Sequence, residues 1–291
     1  MGDARVVTRR IDAHHHVWDL AVRDQTWMVA EAMAPIRRSF GIDEFAAEAT
    51  SNSIDASVLV QTVADITETE ELLNLAAEST LVAGVVGWVD AGASDVGDQL
   101  DGLLARPTGS WLVGIRSLVQ YEPDPAWLAR PAVLSGLREV ARRGLCNDIL
   151  VLPHQLDGVV TVTREVPESR FVLDHLAKPP IAAGEWQPWA DQLSALAQND
   201  NVMAKISGLV TEADWSTWTP SDIRRYVDHA LSVFGPNRLI FGTDWPVCTL
   251  AASYRRIVDL AEQFIGELSI DEQAAVLGAN ATKIYSLQGE P

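Results

Sequence analysis

Cysteine is nearly absent from this chain: Cys146 and Cys248 are the two in 291 residues. Two lone thiols do not make the paired framework of a disulfide-stapled secreted domain, so a reduced, cytoplasmic setting is expected. Basic residues are scarce as well, 22 Lys and Arg against 40 Asp and Glu, for a formal charge of −18. Such a surface repels nucleic acid and anionic membrane, since both need basic patches, and neither is expected as a partner. No run approaches the roughly 18 apolar residues of a membrane span. The opening MGDARVVTRRIDAHHH lacks the apolar core of a signal peptide. There is no internal repeat, low-complexity tract or linker, which leaves residues 1–291 as one expected domain.

What the chain does have is apolar residues in short, regularly spaced runs. Hydrophobic residues make up 47% of it. The runs are IDAHHHVW from Ile11, ASVLVQ from Ala56, LVAGVVGWVD from Leu81, LVGIRSLVQ from Leu112, DILVLPHQL from Asp148, RFVLDHLAK from Arg170, NVMAKISGL from Asn201 and RLIFGTDWP from Arg238. Near-continuous Val, Ile and Leu is the pattern of strands covered on both faces. Helical patterns lie between them, among them Thr67 to Ser79, Pro220 to Phe234, Ser253 to Ile265 and Ile270 to Leu277. Eight strands alternating with helices predict an α/β fold, a closed parallel (β/α)8 TIM barrel. A doubly wound open sheet is the alternative, but no Gly-rich phosphate loop opens its first helix. The gap from Trp18 to Ser53 reads as an active-site loop followed by a helix.

Five of the six histidines fall at or near the ends of these runs: His14, His15, His16, His154 and His175. Barrel active sites occupy that face. His14 and His16 are two apart on a strand and so share a side, which turns His15 toward the helix layer. His229 lies within a helix and reads as a packing residue. Asp244 ends the eighth run. Neutral imidazoles with a carboxylate are a zinc ligand set; the same groups can polarise a carbonyl directly, with Asp244 as general base. Asp174, next to His175, is expected to face the opposite way as a structural partner. Asp12 is expected to orient an imidazole from behind and is the second candidate base. Arg116 and Lys205 are charges inside strands, readable as a buried ion pair or as substrate contacts. Lys178, Gln61 and the tryptophans Trp27, Trp88 and Trp245 complete the candidate substrate contacts.

The motifs DAHHHVW, VLVQT, VAGVVGWVD, GIRSLVQ, VLDHLAKPP, KISGLVTEADW, FGTDWPV and GANATKIYSL, in this order from Ile11 to Leu287, resemble the amidohydrolase-2 family. More narrowly they resemble its lactonase branch, which holds L-fuconolactonases, L-rhamnonolactonases, 4-sulfomuconolactone hydrolases and 2-pyrone-4,6-dicarboxylate lactonases. The resemblance implies a first-strand pair at His14 and His16, a sixth-strand histidine at His175, and an eighth-strand aspartate, Asp244, acting as base toward water. It also implies that His154 stands at the fifth-strand position of the wider superfamily. Members of the branch differ over metal. Strand four carries Arg116, Ser117 and Gln120 where a bridging Lys or Glu would sit, so at most one divalent ion, zinc, is expected, with His14, His16, His154, His175 and Asp244 as its candidate ligands.

The expected activity is therefore hydrolysis of a small-molecule lactone. Dicarboxylate lactones call for several arginine clamps, whereas this chain shows one strand arginine together with Trp and Gln. A sugar-acid lactone of the L-fucono or L-rhamnono type is favoured over an anionic lactone or a nonoxidative decarboxylase of the same superfamily. The rival of another class is a barrel that binds without catalysis, which intact strand-end residues disfavour. Whether the barrel forms a homo-oligomer is left open.

Overall fold

The strands begin and end where buried backbone finds partners. β1 (Ile11–His15), β2 (Ala56–Val60), β3 (Val82–Gly87), β4 (Leu112–Ser117), β5 (Cys146–Ile149), β6 (Phe171–Leu173), β7 (Val202–Ile206) and β8 (Leu239–Phe241) form one parallel sheet in sequence order. A bridge from His15 to Trp245 joins the last strand to the first. His16 N donates to Trp245 O at 2.7 Å and Asp244 N to His14 O at 2.8 Å, so the expected barrel closes. The computed structural model describes residues 9–124 and 126–287. The two ends of the expected 1–291 unit lie outside the described residues.

A helix follows each strand: α1 (Ile42–Ser51), α2 (Ile66–Glu78), α3 (Val96–Leu104), α4 (Pro131–Arg142), α5 (Leu156–Glu165), α6 (Trp189–Leu196), α7 (Pro220–Phe234) and α8 (Tyr254–Ile265). Local chemistry sets their ends. Asp65 caps α2 through Thr67 N, and Ser253 caps α8 through Arg256 N. Thr219 and Asp222 cap α7 reciprocally, and Gly235 at φ 69° ends it. The expected helix from Ile270 to Leu277 is shorter: α9 (Ile270–Ala274) widens into a looser turn at Ala275–Ala279 before α10 (Asn280–Ile284). Gly278 there lies so close to the backbone preceding β1 that a Cβ would meet Arg9 O at 1.8 Å. Among the described residues, no helix is long and apolar enough to cross a membrane.

Two apolar layers result. The larger lies between sheet and helices. The smaller fills the barrel, where Ala13, Val58, Val86, Val172 and Ile240 meet Ala281, Ile284, Tyr285 and Leu287 of the C-terminal segment. That segment plugs the bottom of the barrel and leaves the strand ends at the top free for chemistry.

One irregularity matters for everything above it. β1 pairs Asp12 with Ser57 and His15 with Leu59, three residues against two, which is a β-bulge. Asp12 makes the bulge. It accepts from His14 N at 3.2 Å, Thr243 N at 2.9 Å, Thr243 Oγ1 at 2.6 Å and Tyr254 Oη at 3.0 Å. It therefore holds backbone and the β1–β8 seam, not an imidazole, and it is fully buried among these partners. Asp12→Ala leaves several buried donors unpaired and is expected to cost about 3 kcal/mol. Urea unfolding of the variant beside the wild type measures it; a loss under about 1 kcal/mol would mean that the seam does not need this carboxylate.

Candidate active site

The bulge changes the facing of β1. Ala13 points into the barrel below, yet His14 and His16 also face inward above it, and His15 turns out to stack on Phe45 of α1 at 3.5 Å between ring centroids. His14 Nε2 and His16 Nε2 stand 3.2 Å apart. Asp244 brings Oδ1 to 3.3 Å from His16 Nε2, 3.7 Å from His14 Nε2 and 4.0 Å from His175 Nε2. The structure thus brings His14, His16, His175 and Asp244 to one place.

Backbone strain helps to do it. The chain leaves β6 and runs through four consecutive left-handed residues, His175, Leu176, Ala177 and Lys178, at φ 50–58°. L-residues rarely adopt this conformation in succession, at about 1–2 kcal/mol each. The turn explains why Asp174 and His175, neighbours expected on opposite sides, both face inward. Asp244 is left-handed too, at φ 59°. Facing them, Gly208 leaves room: a Cβ there would lie 2.6 Å from His175 Nδ1 and 3.2 Å from Asp244 Oδ2.

Hydrogen bonds orient the imidazoles. His16 Nδ1 donates to Val60 O at 2.7 Å, which leaves a lone pair on its Nε2. His175 Nδ1 lies 2.8 Å from Ser207 Oγ. Burial pushes the His175 imidazole down to about 4 against the pull of Asp244 and Asp174, so it is neutral at pH 7. Burial raises the Asp244 carboxyl, but His175, His16 and His14 outweigh it and hold the group well below the usual carboxylate range.

Beneath His14 lies a set of charges sealed from water. Lys205 Nζ is 2.7 Å from Asp148 Oδ2, 3.0 Å from Asp174 Oδ1 and 3.1 Å from His14 Nδ1. Arg116 Nη1 is 3.3 Å from Asp174 Oδ2, and its Nη2 donates to Gln61 O. Tyr285 Oη, from the plug, donates to Asp148 Oδ2 at 2.6 Å. Lys205 is thus part of a buried ion cluster, whereas Arg116 also reaches the cavity wall.

The cavity, about 70 Å³, is lined by the polar side chains of His16, His175, Asp244, Arg116 and Lys178 and by the apolar ones of Trp27, Leu118, Leu150 and Val247. A larger cavity of about 490 Å³ runs beside it under the β1–α1 connection; Trp18, Arg23 and Glu68 line it, but none of the four site residues does.

Four sequence-based expectations need correction. His154 is not at a strand end: β5 closes at Ile149, and His154 sits exposed on the short turn Pro153–Gln155, outside both groups of three side chains close enough to share an ion. The reason is that β5 begins earlier than its apolar run, at Cys146, with Asn147 and Asp148 as buried polar strand residues. Trp245 packs on Phe40 and Phe45, away from the cavity wall. Trp88 is not among the residues lining the cavity; its N donates to Thr69 Oγ1 at 2.8 Å. Gln61 is buried behind Arg116, its Nε2 donating to Arg116 O at 3.3 Å. Sequence reasoning missed Ser207, Gly208, Asp148 and Tyr285. Asp148 stands at the start of its apolar run, where sequence gives no signal of a buried strand charge.

The residues fit a small divalent ion. Zinc–ligand bonds of about 2.0–2.1 Å in tetrahedral array put ligand atoms roughly 3.3–3.4 Å apart. His14 Nε2, His16 Nε2 and Asp244 Oδ1 are 3.2, 3.3 and 3.7 Å apart.

Comparison with known proteins agrees with this architecture. A family model described as amidohydrolase matches residues 11–287. An L-fucono-1,5-lactonase of Burkholderia ambifaria is 35% identical over 288 residues, covering 97% of each chain. An L-fucono-1,5-lactonase of Burkholderia multivorans is 35% identical, covering 96% of each. A crystal structure of an amidohydrolase from Burkholderia multivorans with bound zinc superposes with a TM-score of 0.89 at 35% identity, over 96% of this chain and all of that one.

Three buried histidines, two facing inward and His15 facing the helix layer, give the fold a pH dependence. Burial pushes His14 and His15 well below 6.5, and His175 to about 4. As pH falls below 6.5 the unfolded chain gains protons that the folded chain refuses, so stability is lost on acidification. Each histidine kept neutral contributes about 2 kcal/mol of loss between pH 7 and pH 5. Asp12, which burial raises to about 6, works in the opposite sense and offsets part of this. The urea midpoint is expected to be lower at pH 5 than at pH 7, with a smaller difference in His15→Gln. Equal pH dependence in the variant would remove His15 from this account.

Proposed function

The chain belongs to the amidohydrolase family, and from that premise we propose that it hydrolyses a neutral sugar-acid lactone of the L-fucono-1,5-lactone type to the free acid, acting as a single barrel unit. One observation carries the reading: a carboxylate held ionised, Asp244, and the neutral imidazole of His175 line one cavity together with apolar side chains. The two similar L-fucono-1,5-lactonases support the substrate class.

In this mechanism Asp244 Oδ1 accepts a proton from water, and the hydroxide so formed attacks the lactone carbonyl carbon. The carbonyl π electrons move to oxygen, where the Arg116 guanidinium and His175 stabilise the charge. The tetrahedral carbon then expels the ring oxygen, which takes the proton held by Asp244 or relayed by a histidine. Asp244 is a weak base because its neighbours stabilise its ionised form, and general-base catalysis works best when base and proton source are matched. A single zinc ion, held by His14, His16 and Asp244 beside His175, would supply that match as a Lewis acid that lowers the pKa of water toward about 7. The zinc found in the similar Burkholderia multivorans structure supports this choice.

The cations of the chain favour a neutral substrate. Arg116 is engaged by Asp174 and Gln61, and Lys178 lies 3.3 Å from Glu212 Oε1. The loop arginines are engaged elsewhere: Arg23 with Asp65 and Glu71, Arg38 with Glu44, and Arg37 with Met28 O. None of these three lines the cavity. Leu118, Leu150 and Val247 offer an apolar surface to the methyl group of a deoxy sugar, and Trp27 a flat face to its ring.

Three outcomes test the reading. Asp244→Asn is expected to lower kcat for L-fucono-1,5-lactone by about 10²-fold or more with the fold intact, read as acid release with a pH indicator and by circular dichroism. Ordinary turnover in that variant would require another base. The wild type is expected to show a higher kcat/KM for L-fucono-1,5-lactone than for 2-pyrone-4,6-dicarboxylate; the reverse order would sink the neutral-substrate argument. Elemental analysis is expected to find one equivalent of zinc per chain, with two equivalents counting against the ligand set.

A further inference from the structure

His14 has a cation at each nitrogen, an arrangement that a neutral imidazole cannot satisfy twice. Lys205 Nζ lies 3.1 Å from Nδ1, and Arg116 Nη1 lies 3.4 Å from Nε2. An imidazole with one proton has one lone pair, and an ammonium only donates. Two arrangements remain. In the first, Lys205 donates to Nδ1, the proton sits on Nε2, and Nε2–H points at the His16 Nε2 lone pair 3.2 Å away. In the second, Nδ1–H faces Asp174 Oδ1 at 3.4 Å and Nε2 accepts from Arg116, or ligates an ion.

The distances favour the first, at 3.1 and 3.2 Å against 3.4 and 3.4 Å. Two further facts agree. His16 carries its proton on Nδ1, against Val60 O, so its Nε2 is free to accept. Asp174 Oδ1 is buried, and its shorter contact is the Lys205 ammonium and not His14 Nδ1. The contact from Lys205 to that oxygen is an ion pair at 3.0 Å.

We propose that Lys205 is a positioning residue that holds His14 as its Nε2–H tautomer, making His14 a hydrogen-bond donor to His16 and weakening the hold of the site on zinc. Ligation of an ion by His14 then requires its proton to move from Nε2 to Nδ1, where Asp174 Oδ1, 3.4 Å away, accepts a hydrogen bond from it. Lys205 keeps its pairing with Asp148 throughout. Metal occupancy and the hydrogen-bond state of His14 are thereby alternatives, set against each other by one buried ammonium. The inference rests on the reading of this cluster as the reacting centre.

The test reads the tautomer directly. The full chain is labelled with 15N-histidine and freed of metal with chelator, and two-bond 1H–15N correlations are recorded at pH 7.5; the His14 signals are assigned by their loss in His14→Gln. The expected pattern is a protonated Nε2 and an accepting Nδ1, and a proton on Nδ1 in the wild type overturns the proposal without any further variant. The double variant Lys205→Met, Asp148→Asn removes one buried charge of each sign and keeps the cluster neutral. In it the proton is expected on Nδ1, and zinc affinity, from competition with a chromophoric chelator, is expected to rise about tenfold or more, as loss of one charge-assisted hydrogen bond implies. An unchanged tautomer, or zinc affinity that stays level or falls, overturns it. Neither readout needs turnover, so a failure here leaves the lactonase reading standing, and failure of lactone hydrolysis leaves the tautomer result intact.

Discussion

Four charges sealed inside a barrel must balance one another, and the upper half of this molecule is organised around that requirement. Asp148, Asp174, Lys205 and Arg116 come from four adjacent strands or strand ends and together sum to zero. Removing one member of such a buried set leaves another uncompensated, at about 3–5 kcal/mol. The cluster is therefore a rigid platform. Its contacts reach down through Tyr285 to the C-terminal plug and up through His14 to His16 at the cavity, so the bottom of the barrel and its chemistry share one set of hydrogen bonds.

Above the platform, three departures from regular geometry aim the reacting groups. The bulge at Asp12 gives β1 one extra residue, which lets Ala13 fill the barrel while His14 and His16 still face inward above it, His16 at the cavity. The left-handed turn after β6 brings His175 round, and the missing side chain of Gly208 gives it room. Each device is paid for elsewhere: the bulge by four hydrogen bonds to Asp12, and the turn by burial of Leu176 and Ala177.

The alternation of apolar runs with helical patterns was enough to read the barrel, because covered parallel strands leave little room for polar residues. The same rule misplaced β5. Its Asn147 and Asp148 are satisfied by partners distant in sequence, Leu137 O and Ser169 Oγ for the one and Lys205 for the other, and no local pattern announces them. His154 was read as a strand-end residue for that reason. The pairing of His14 with His16 was legible as an i, i+2 spacing, although the facing depends on a bulge that the spacing does not reveal. Asp174 shows the limit of alternation most clearly, since a change of backbone handedness at the next residue cancels it. The tryptophans misled through composition: Trp245 was needed by Phe40 and Phe45, and only Trp27 lines the cavity.

The turn from His175 to Lys178 coils in the opposite sense to every helix around it and delivers two cavity-lining side chains from four residues. Each residue in such a coil advances the direction of its side chain by about 100°. Inserting or deleting one would swing Lys178 away from the cavity while His175 stayed, or the reverse. This connection consequently has a fixed length. A chimera that exchanges rim loops between barrels of this kind must carry Asp174 to Lys178 as one indivisible block, together with the glycine at 208 that faces it.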